Sequence, residues 1–165
     1  MSRRIEYSSS YSLPVDRVHD GLVTEQYWHD RLAQVGGPGA TLDDITTGPG
    51  TISVAMTQTI PAEHLPAIVT KIRPGDLHIK RTETWGVLDG DKAAGTFTAA
   101  VEGTPAKVSG IQTLTAGISG SRVEISGETE VNIPFFGGKI ESAITEEVLS
   151  LIDKEQAFTE QWLQA

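Results

Sequence analysis

The chain contains no cysteine and few basic residues, and these two shortages exclude several classes of function. Without cysteine there can be no disulfide, thiol nucleophile or cysteine metal site, so the fold must depend on its apolar core. Acidic residues outnumber basic ones 22 to 13, and the net charge is −9. Because nucleic acids and anionic membranes are bound through clustered Lys and Arg, we expect neither as a partner.

Long apolar runs are missing as well. No stretch approaches the roughly 20 apolar residues of a membrane helix, so we expect no integral membrane association. The first residues, Met-Ser-Arg-Arg, are followed by alternating polar and apolar residues, which predict a strand and not a secretion signal. The sequence therefore predicts a single domain over residues 1–165, located in the cytoplasm.

Motifs for cofactors and catalysis are also absent. Gly-Gly-Lys at 137–139 resembles part of a phosphate loop, but Ile133 and Ile140 stand where that loop needs a glycine and a hydroxyl. We interpret it instead as a hinge between a strand and a helix. Neither Gly-x-Ser-x-Gly nor His-Glu-x-x-His occurs, and the histidines lack metal-like spacing. We therefore expect no cofactor and no metal.

Apolar periodicity predicts an α+β chain dominated by strands. A first strand covers residues 4–11, and a short helix follows, opened by Pro14 with the Ser12 hydroxyl as its cap. A second short helix spans 25–33 and ends at Gly36-Gly37-Pro38-Gly39. Turn residues then separate six further strands, with a short helix at 61–72 between the second and third of them. These strands are 40–47, 51–60, 77–88, 94–102, 107–117 and 121–133.

The last element is a long amphipathic helix over 138–163. Its apolar stripe comprises Ile140, Ile144, Val148, Leu151, Ile152, Phe158 and Trp162. The acidic residues assigned to its solvent side are Glu141, Glu146, Asp153, Glu155 and Glu160. At 1.5 Å per residue such a helix is about 37 Å long, close to the length of an 11-residue strand. We expect it to cover the concave face of the whole sheet.

This order of elements resembles the helix-grip fold of the START-like, or SRPBCC, superfamily. The resemblance implies a curved antiparallel sheet of about seven strands, two short N-terminal helices and a long C-terminal helix packed across it. Lipid-transfer domains, polyketide cyclases and birch-pollen-allergen-like proteins share this fold and hold apolar ligands between the sheet and the helix. The Ile-Pro-x-x-Gly-Gly-Lys-x-Glu signature at 133–141 is similar to that of a bacterial branch known only as a domain of unknown function.

Two charged residues fall on an apolar strand face. Period-2 alternation places Arg81 and Glu83 on the same side as Leu77, Ile79 and Trp85. Burying each charge alone is costly, so they must be paired, hydrated or bound to a ligand. One hypothesis makes Arg81 an anchor for a carboxylate or phosphate and Glu83 its partner or an acid/base. The alternative is a bulge between them or a salt bridge at the rim.

The predicted pocket combines apolar residues with a few polar ones that fall on apolar faces. Phe135 and Phe136 are expected to plug one end of the core. The candidate ligand-binding residues are Tyr7, Ser9, Met56, Gln58, Arg81, Glu83, Trp85, Phe97, Gln112, Thr129, Phe135, Ile144 and Val148.

Three functions remain open on these residues. The leading hypothesis is a protein that binds or carries a hydrophobic small molecule, of the lipid or polyketide-like kind, between the sheet and the last helix. The second is a cyclase or dehydratase in which Glu83 is the acid/base and Arg81 polarises a carbonyl. The third is an interaction module whose groove receives an apolar segment of a partner.

Overall fold

A computed structural model of the chain describes residues 2–72, 74–135 and 137–165. The described residues form seven strands and four α-helices in the predicted order. A short 3-10 helix, Ala62–His64, precedes α3. The elements are β1 Ser2–Tyr11, α1 Val15–Leu22, α2 Glu25–Val35, β2 Thr41–Gly48, β3 Thr51–Ile60, α3 Ala67–Ile72, β4 Leu77–Trp85, β5 Lys92–Val101, β6 Ala106–Ala116, β7 Ser121–Val131 and α4 Gly137–Gln164.

All seven strands form one curved antiparallel sheet in the order β1-β7-β6-β5-β4-β3-β2. Strands β2 to β7 follow one another as a meander, and β1 pairs with β7 at the far edge. The two short helices α1 and α2 connect these opposite edges, and α4 packs against β1 and β7. The predicted helix-grip architecture is confirmed.

A pair of glycines lets two strands and an aromatic ring approach closely at the middle of the sheet. Gly110 on β6 lies opposite Gly127 on β7. A Cβ added at Gly127 would lie 2.3 Å from the Ser109 carbonyl oxygen and 2.9 Å from the ring of Phe97. Glycine inside a strand marks this kind of close approach. The Phe97 ring therefore packs directly on the backbones of β6 and β7, in space that a side chain would occupy if these positions were not glycine.

The inward faces of the strands carry the core, as the alternation predicts. Ile52, Val54 and Met56 on β3 are buried, as are Val123 and Ile125 on β7. On α2, the indole nitrogen of Trp28 donates to the carbonyl oxygen of Leu22 at 2.7 Å. No helix among the described residues combines the length and the apolar composition needed to cross a membrane.

The polar side of α4 differs from the prediction. Glu141 and Glu155 were assigned to solvent, yet only 1% and 4% of their surfaces are exposed. Glu141 accepts the backbone N–H of Val131 at 3.1 Å, and Glu155 is paired with arginine side chains. The helix buries a face wider than its apolar stripe, because polar partners on the sheet and on α2 satisfy these carboxylates.

Two local predictions at the helix ends are wrong. The N-cap position of α1 is Pro14 and has no side-chain cap, because the Ser12 hydroxyl donates instead to Glu160 on α4. Phe135 does not plug the core, since its side chain is fully exposed. Its φ of 70° lies in the left-handed region, where the chain reverses between β7 and α4. Phe136 lies outside the described residues.

The Gly-Gly-Lys segment begins α4, in agreement with its interpretation as a hinge. Gly137 is buried, and its N–H donates to the carbonyl oxygen of Ile133 at 2.9 Å. A Cβ at Gly137 would lie 2.9 Å from the carbonyl oxygen of Val131. Glycine at this position therefore lets the helix start directly against the end of β7.

Candidate functional site

Two adjoining pockets lie between the sheet and α4. The larger, pocket A, has a volume of about 150 Å³, and the smaller, pocket B, about 60 Å³. Both are lined by side chains of the same five residues at their junction, Ile79, Val101, Ile144, Val148 and Leu151. Pocket A continues toward α3 and the end of α2, whereas pocket B continues toward the middle of the sheet.

Pocket A reaches solvent along one side of α4. Its apolar wall includes Val35, Ile60, Leu65, Val69 and Leu77. Exposed residues of its lining are Pro66, Glu147, Ser150 and Lys154. Pocket A thus has an apolar interior and a polar rim, which is the usual arrangement of small-molecule sites.

A cluster of four charged side chains forms one wall of pocket B. We call it the charge cluster: Arg31 from α2, Arg81 and Glu83 from β4, and Glu155 from α4. Arg81 binds both carboxylate oxygens of Glu155, at 2.8 and 3.3 Å, and donates to Glu83 at 2.9 Å. Arg31 lies 2.5 Å from Glu83 and 2.9 Å from Glu155. Each arginine therefore contacts both carboxylates, and the cluster carries no net charge.

All four members are buried, with side-chain exposures between 5% and 10%. Burial alone would raise the pKa of Glu155, but the adjacent charges of Arg31 and Arg81 lower it. Burial alone would lower the pKa of Arg31, but the carboxylates of Glu155 and Glu83 raise it well above its ordinary value. These pKa shifts favour the charged forms of Arg31 and Glu155.

Neighbouring aromatic residues hold the cluster in place. The Arg31 guanidinium lies 4.5 Å from the centre of the Trp28 ring, one helical turn away on the same face of α2. Thr159 donates its hydroxyl proton to the carbonyl oxygen of Glu155 at 2.8 Å. The Tyr27 hydroxyl must therefore be the donor in its 2.5 Å contact with Thr159. Tyr27 and Thr159 thus tie α2 to the turn of α4 that carries Glu155.

This geometry decides between the alternatives for Arg81 and Glu83. The pairing of β4 with both neighbours runs without a register shift, so no bulge separates the two residues. Both side chains face inward, and they pair in the interior and not at an exposed rim. Arg81 also donates to Gln58 at 2.6 Å, so its guanidinium is occupied by protein acceptors.

The chemistry open to the cluster is correspondingly limited. Glu83 accepts hydrogen bonds from two guanidinium groups, and proton transfer through it would require those pairs to break. Glu155, with its lowered pKa, stays deprotonated at neutral pH. Among the described residues, no three His, Asp or Glu side chains are grouped in a way that would hold a metal ion.

Seven of the predicted binding residues line the pockets. Gln58 lines pocket A, and Ile144 and Val148 line both pockets. The remaining four, Arg81, Glu83, Phe97 and Gln112, line pocket B. The side-chain nitrogens of the two glutamines are bonded to backbone carbonyl oxygens, that of Gln58 to Gly36 at 3.2 Å and that of Gln112 to Thr84 at 3.4 Å.

The other six predicted residues lie outside both pockets. Met56 and Trp85 are core residues, and the fully buried Thr129 accepts a hydrogen bond from Thr145 at 2.9 Å. Ser9 is half-buried on β1, and Tyr7 donates to Asp153 on α4 at 3.0 Å. Phe135, as described above, is exposed.

Arg31, Glu155 and Gln156 also line pocket B, although none of them was predicted as a site residue. Arg31 had a usable signal, since Tyr27, Trp28 and Arg31 share one helical face and the two aromatic residues are buried. Glu155 and Gln156 line pocket B from α4. Both stand beside apolar positions, and the local sequence does not indicate that they face a pocket.

Comparison with known proteins places the chain in a family without an assigned activity. The family described as "Protein of unknown function (DUF2505)" matches residues 6–163. The uncharacterized protein Rv0481c of Mycobacterium tuberculosis is 33% identical over 170 residues, which cover 99% of this chain and 98% of that protein.

Solved structures with the same fold are much more distant in sequence. Norcoclaurine synthase from Thalictrum flavum aligns with a TM-score of 0.61 at 15% identity, over 100% of this chain and 88% of that one. Ara h 8.0201 aligns with a TM-score of 0.59 at 13% identity, over 99% of both chains. At these identities the likeness concerns the fold alone. The chain belongs to the family described as "Protein of unknown function (DUF2505)" and has the helix-grip fold.

Proposed function

We propose that the protein binds or carries an apolar small molecule, of the lipid or polyketide-like kind, in pockets A and B. The observation that supports this most is the pair of adjoining pockets between the sheet and α4, lined largely by aliphatic side chains. A concave, largely apolar space with a polar rim is the usual form of a small-molecule site. Pocket A, with a volume of about 150 Å³, has this form.

The size of the pockets limits what fits without rearrangement. A dry cavity of about 150 Å³ accommodates a molecule the size of benzene. Pockets for drug-sized ligands are larger, about 300–1,000 Å³. We propose that the buried part of the ligand is one ring or a short branched chain, and that any remainder leaves pocket A past Glu147, Ser150 and Lys154.

A solved relative of the fold supports the use of this architecture for small molecules. A point mutant of norcoclaurine synthase is described in complex with a transition state analogue. That complex is a property of the plant enzyme, and at 13% identity it brings no activity to this chain. The cyclase or dehydratase alternative relies on Glu83 as its acid/base, and Glu83 is held by two guanidinium groups.

The proposal is tested by native mass spectrometry of two tryptophan variants. Val148 lines both pockets, so Val148→Trp fills the space at their junction. Glu146 is exposed on the same helix, and Glu146→Trp is the matched control. We expect a small molecule to accompany the wild type and the control and to be absent from Val148→Trp. An adduct that survives in Val148→Trp would place the ligand elsewhere and overturn the proposal.

A further inference from the structure

We infer that two copies of the chain associate through the outer edges of their β1 strands, which pair antiparallel and join the two sheets into one. This edge is separate from the linings of pockets A and B. Three features of the sheet support the association: an open edge at β1, a charge pattern on β1 that complements itself in one register, and an obstructed edge at β2.

The outer edge of β1 is open along the strand. β1 pairs with β7 over ten residues without a register shift, and in the described part of the chain no strand lies on its other side. The N–H of Gly117 donates to the carbonyl oxygen of Gly120 at 2.9 Å, where β6 turns into β7. Because hydrogen-bonded pairs alternate along an antiparallel ladder, the even-numbered residues of β7 bond to β6 and the odd-numbered ones to β1.

This alternation decides which backbone groups of β1 are available to a partner. The odd-numbered residues of β7 stand opposite odd-numbered residues of β1. The even-numbered residues Arg4, Glu6, Ser8 and Ser10 therefore direct their N–H and C=O groups to the open edge, and all four are exposed. An unpaired row of such groups is a template for pairing with another strand.

The charges of β1 select one register for pairing with a second copy. When Arg4 stands opposite the second copy's Glu6, two-fold symmetry also places Glu6 opposite the second copy's Arg4. Sliding one strand by two residues places Arg4 opposite Arg4 in one direction and Glu6 opposite Glu6 in the other. Opposite charges across a strand pair are stabilising and like charges are destabilising, so this register is favoured over both neighbours. Within one chain the two side chains already form an exposed ion pair at 2.6 Å.

The inner face of the strand adds a second complementary pair in the same register. It places the second copy's Arg3 opposite Tyr7, whose hydroxyl donates to Asp153 on α4 at 3.0 Å. Arg3 and Asp153 are both exposed. Successive side chains of a strand alternate between its faces, so Arg3 and Tyr7 share the face that α4 covers. Opposite charges therefore meet on both faces of the paired strands.

The edge of the sheet formed by β2 is unsuited to the same pairing. Its register with β3 shifts between Leu42 and Asp44, and Asp43 and Asp44 put two like charges at that point. A bulge and charged residues of this kind keep sheet edges from pairing. β1 has no register shift and no proline, and its charges are of both signs. β1 is therefore the edge at which a second copy pairs.

Charge exchange on β1 tests the association, with size-exclusion chromatography and light scattering over a range of concentrations giving the dimer Kd. We expect the wild type to dimerise and Glu6→Arg to raise the Kd at least about 10-fold, because two attractions become repulsions. Adding Arg4→Glu to Glu6→Arg exchanges the charges, and we expect the Kd to return to within about 3-fold of the wild type. Glu124→Arg, in the exposed ion pair with Arg122 on β7, is the control and should change the Kd less than about 3-fold.

Single cysteines test the register, because the chain has none of its own. The register places Ser2 opposite the second copy's Ser8, with Cα atoms about 5.5 Å apart, a separation that a disulfide spans. We expect a mixture of Ser2→Cys and Ser8→Cys proteins to form a disulfide-linked dimer on oxidation, and neither variant to form one alone. A wild type that stays monomeric at every concentration would overturn the inference. So would a double charge variant that dimerises as weakly as Glu6→Arg, or a mixture of cysteine variants that does not cross-link.

Discussion

Among individual residues, Glu155 is the carboxylate that binds the arginines of the charge cluster through both oxygens, with two hydrogen bonds from Arg81 and a contact with Arg31. Glu155→Gln keeps the shape of the side chain but leaves two buried arginines with one carboxylate. We expect the free energy of unfolding, measured by urea denaturation, to fall by about 3–5 kcal/mol. Glu146→Gln, at an exposed position of the same helix, is the control and is expected to change it by less than about 0.5 kcal/mol. A loss below about 1 kcal/mol in Glu155→Gln would contradict the assigned role.

The lowered pKa of Glu155 also predicts how stability depends on pH. Its carboxylate is stabilised by Arg31 and Arg81 in the folded chain, so folding favours the deprotonated form. The resulting stability is complete above the ordinary glutamate pKa of about 4.3 and is lost as the pH falls through the lower folded pKa. We expect the stability difference between wild type and Glu155→Gln to be constant from about pH 8 to pH 5 and to shrink below about pH 4. A stability difference between the two proteins that increases as the pH falls would contradict this prediction.

Residue roles were predictable only where the signal was local. Period-2 alternation placed Arg81 and Glu83 on the inner face of β4, because that rule depends on neighbouring residues. Their partners are distant in the chain, with Arg31 52 residues from Glu83 and Glu155 74 residues from Arg81. Nothing in the local pattern links these positions, so the closed cluster emerges only when α2 and α4 are packed on the sheet.

At the scale of elements, the ends of the strands, of α2 and of α4 were predictable to within about three residues. The single helix predicted over 61–72 is instead a 3-10 helix, Ala62–His64, followed by α3, Ala67–Ile72. β3 spans Thr51–Ile60 as predicted, and α4 begins and ends one residue beyond the predicted 138–163. The width of the buried face of α4 was not predictable from its apolar residues. Glu141 and Glu155 belong to that face because the Val131 N–H and two arginines meet them there.

The paired glycines of β6 and β7 give a prediction about the sheet. Gly127→Ala places a Cβ against the Ser109 carbonyl oxygen and the Phe97 ring, which packs on both strands. We expect the free energy of unfolding, from urea denaturation, to fall by about 1–3 kcal/mol. Gly117→Ala, whose added Cβ has no neighbour nearer than 3.6 Å, should change it by less than about 0.5 kcal/mol. Equal effects of the two substitutions would show that the close approach at Gly127 is not needed.

At the scale of the whole molecule, the fold was predicted from the order of strands and helices along the chain. A strand, two short helices, a strand meander and a long helix follow one another as in the helix-grip fold, and this resemblance predicted how the long helix packs on the sheet. The pockets, by contrast, were not predictable in size or position. They depend on how far α4 stands from the sheet, which is set by long-range contacts such as those of Glu155 and Tyr27.

The most direct test of the central claim is a crystal structure of the protein determined under xenon pressure. Xenon enters dry apolar cavities without needing polar contacts, so the test does not depend on the identity of the ligand. We expect xenon, or the co-purified small molecule in its place, between the sheet and α4, bounded by Ile79, Ile144 and Val148. A structure in which side chains or ordered water fill that space, with xenon absent or bound elsewhere, would contradict it.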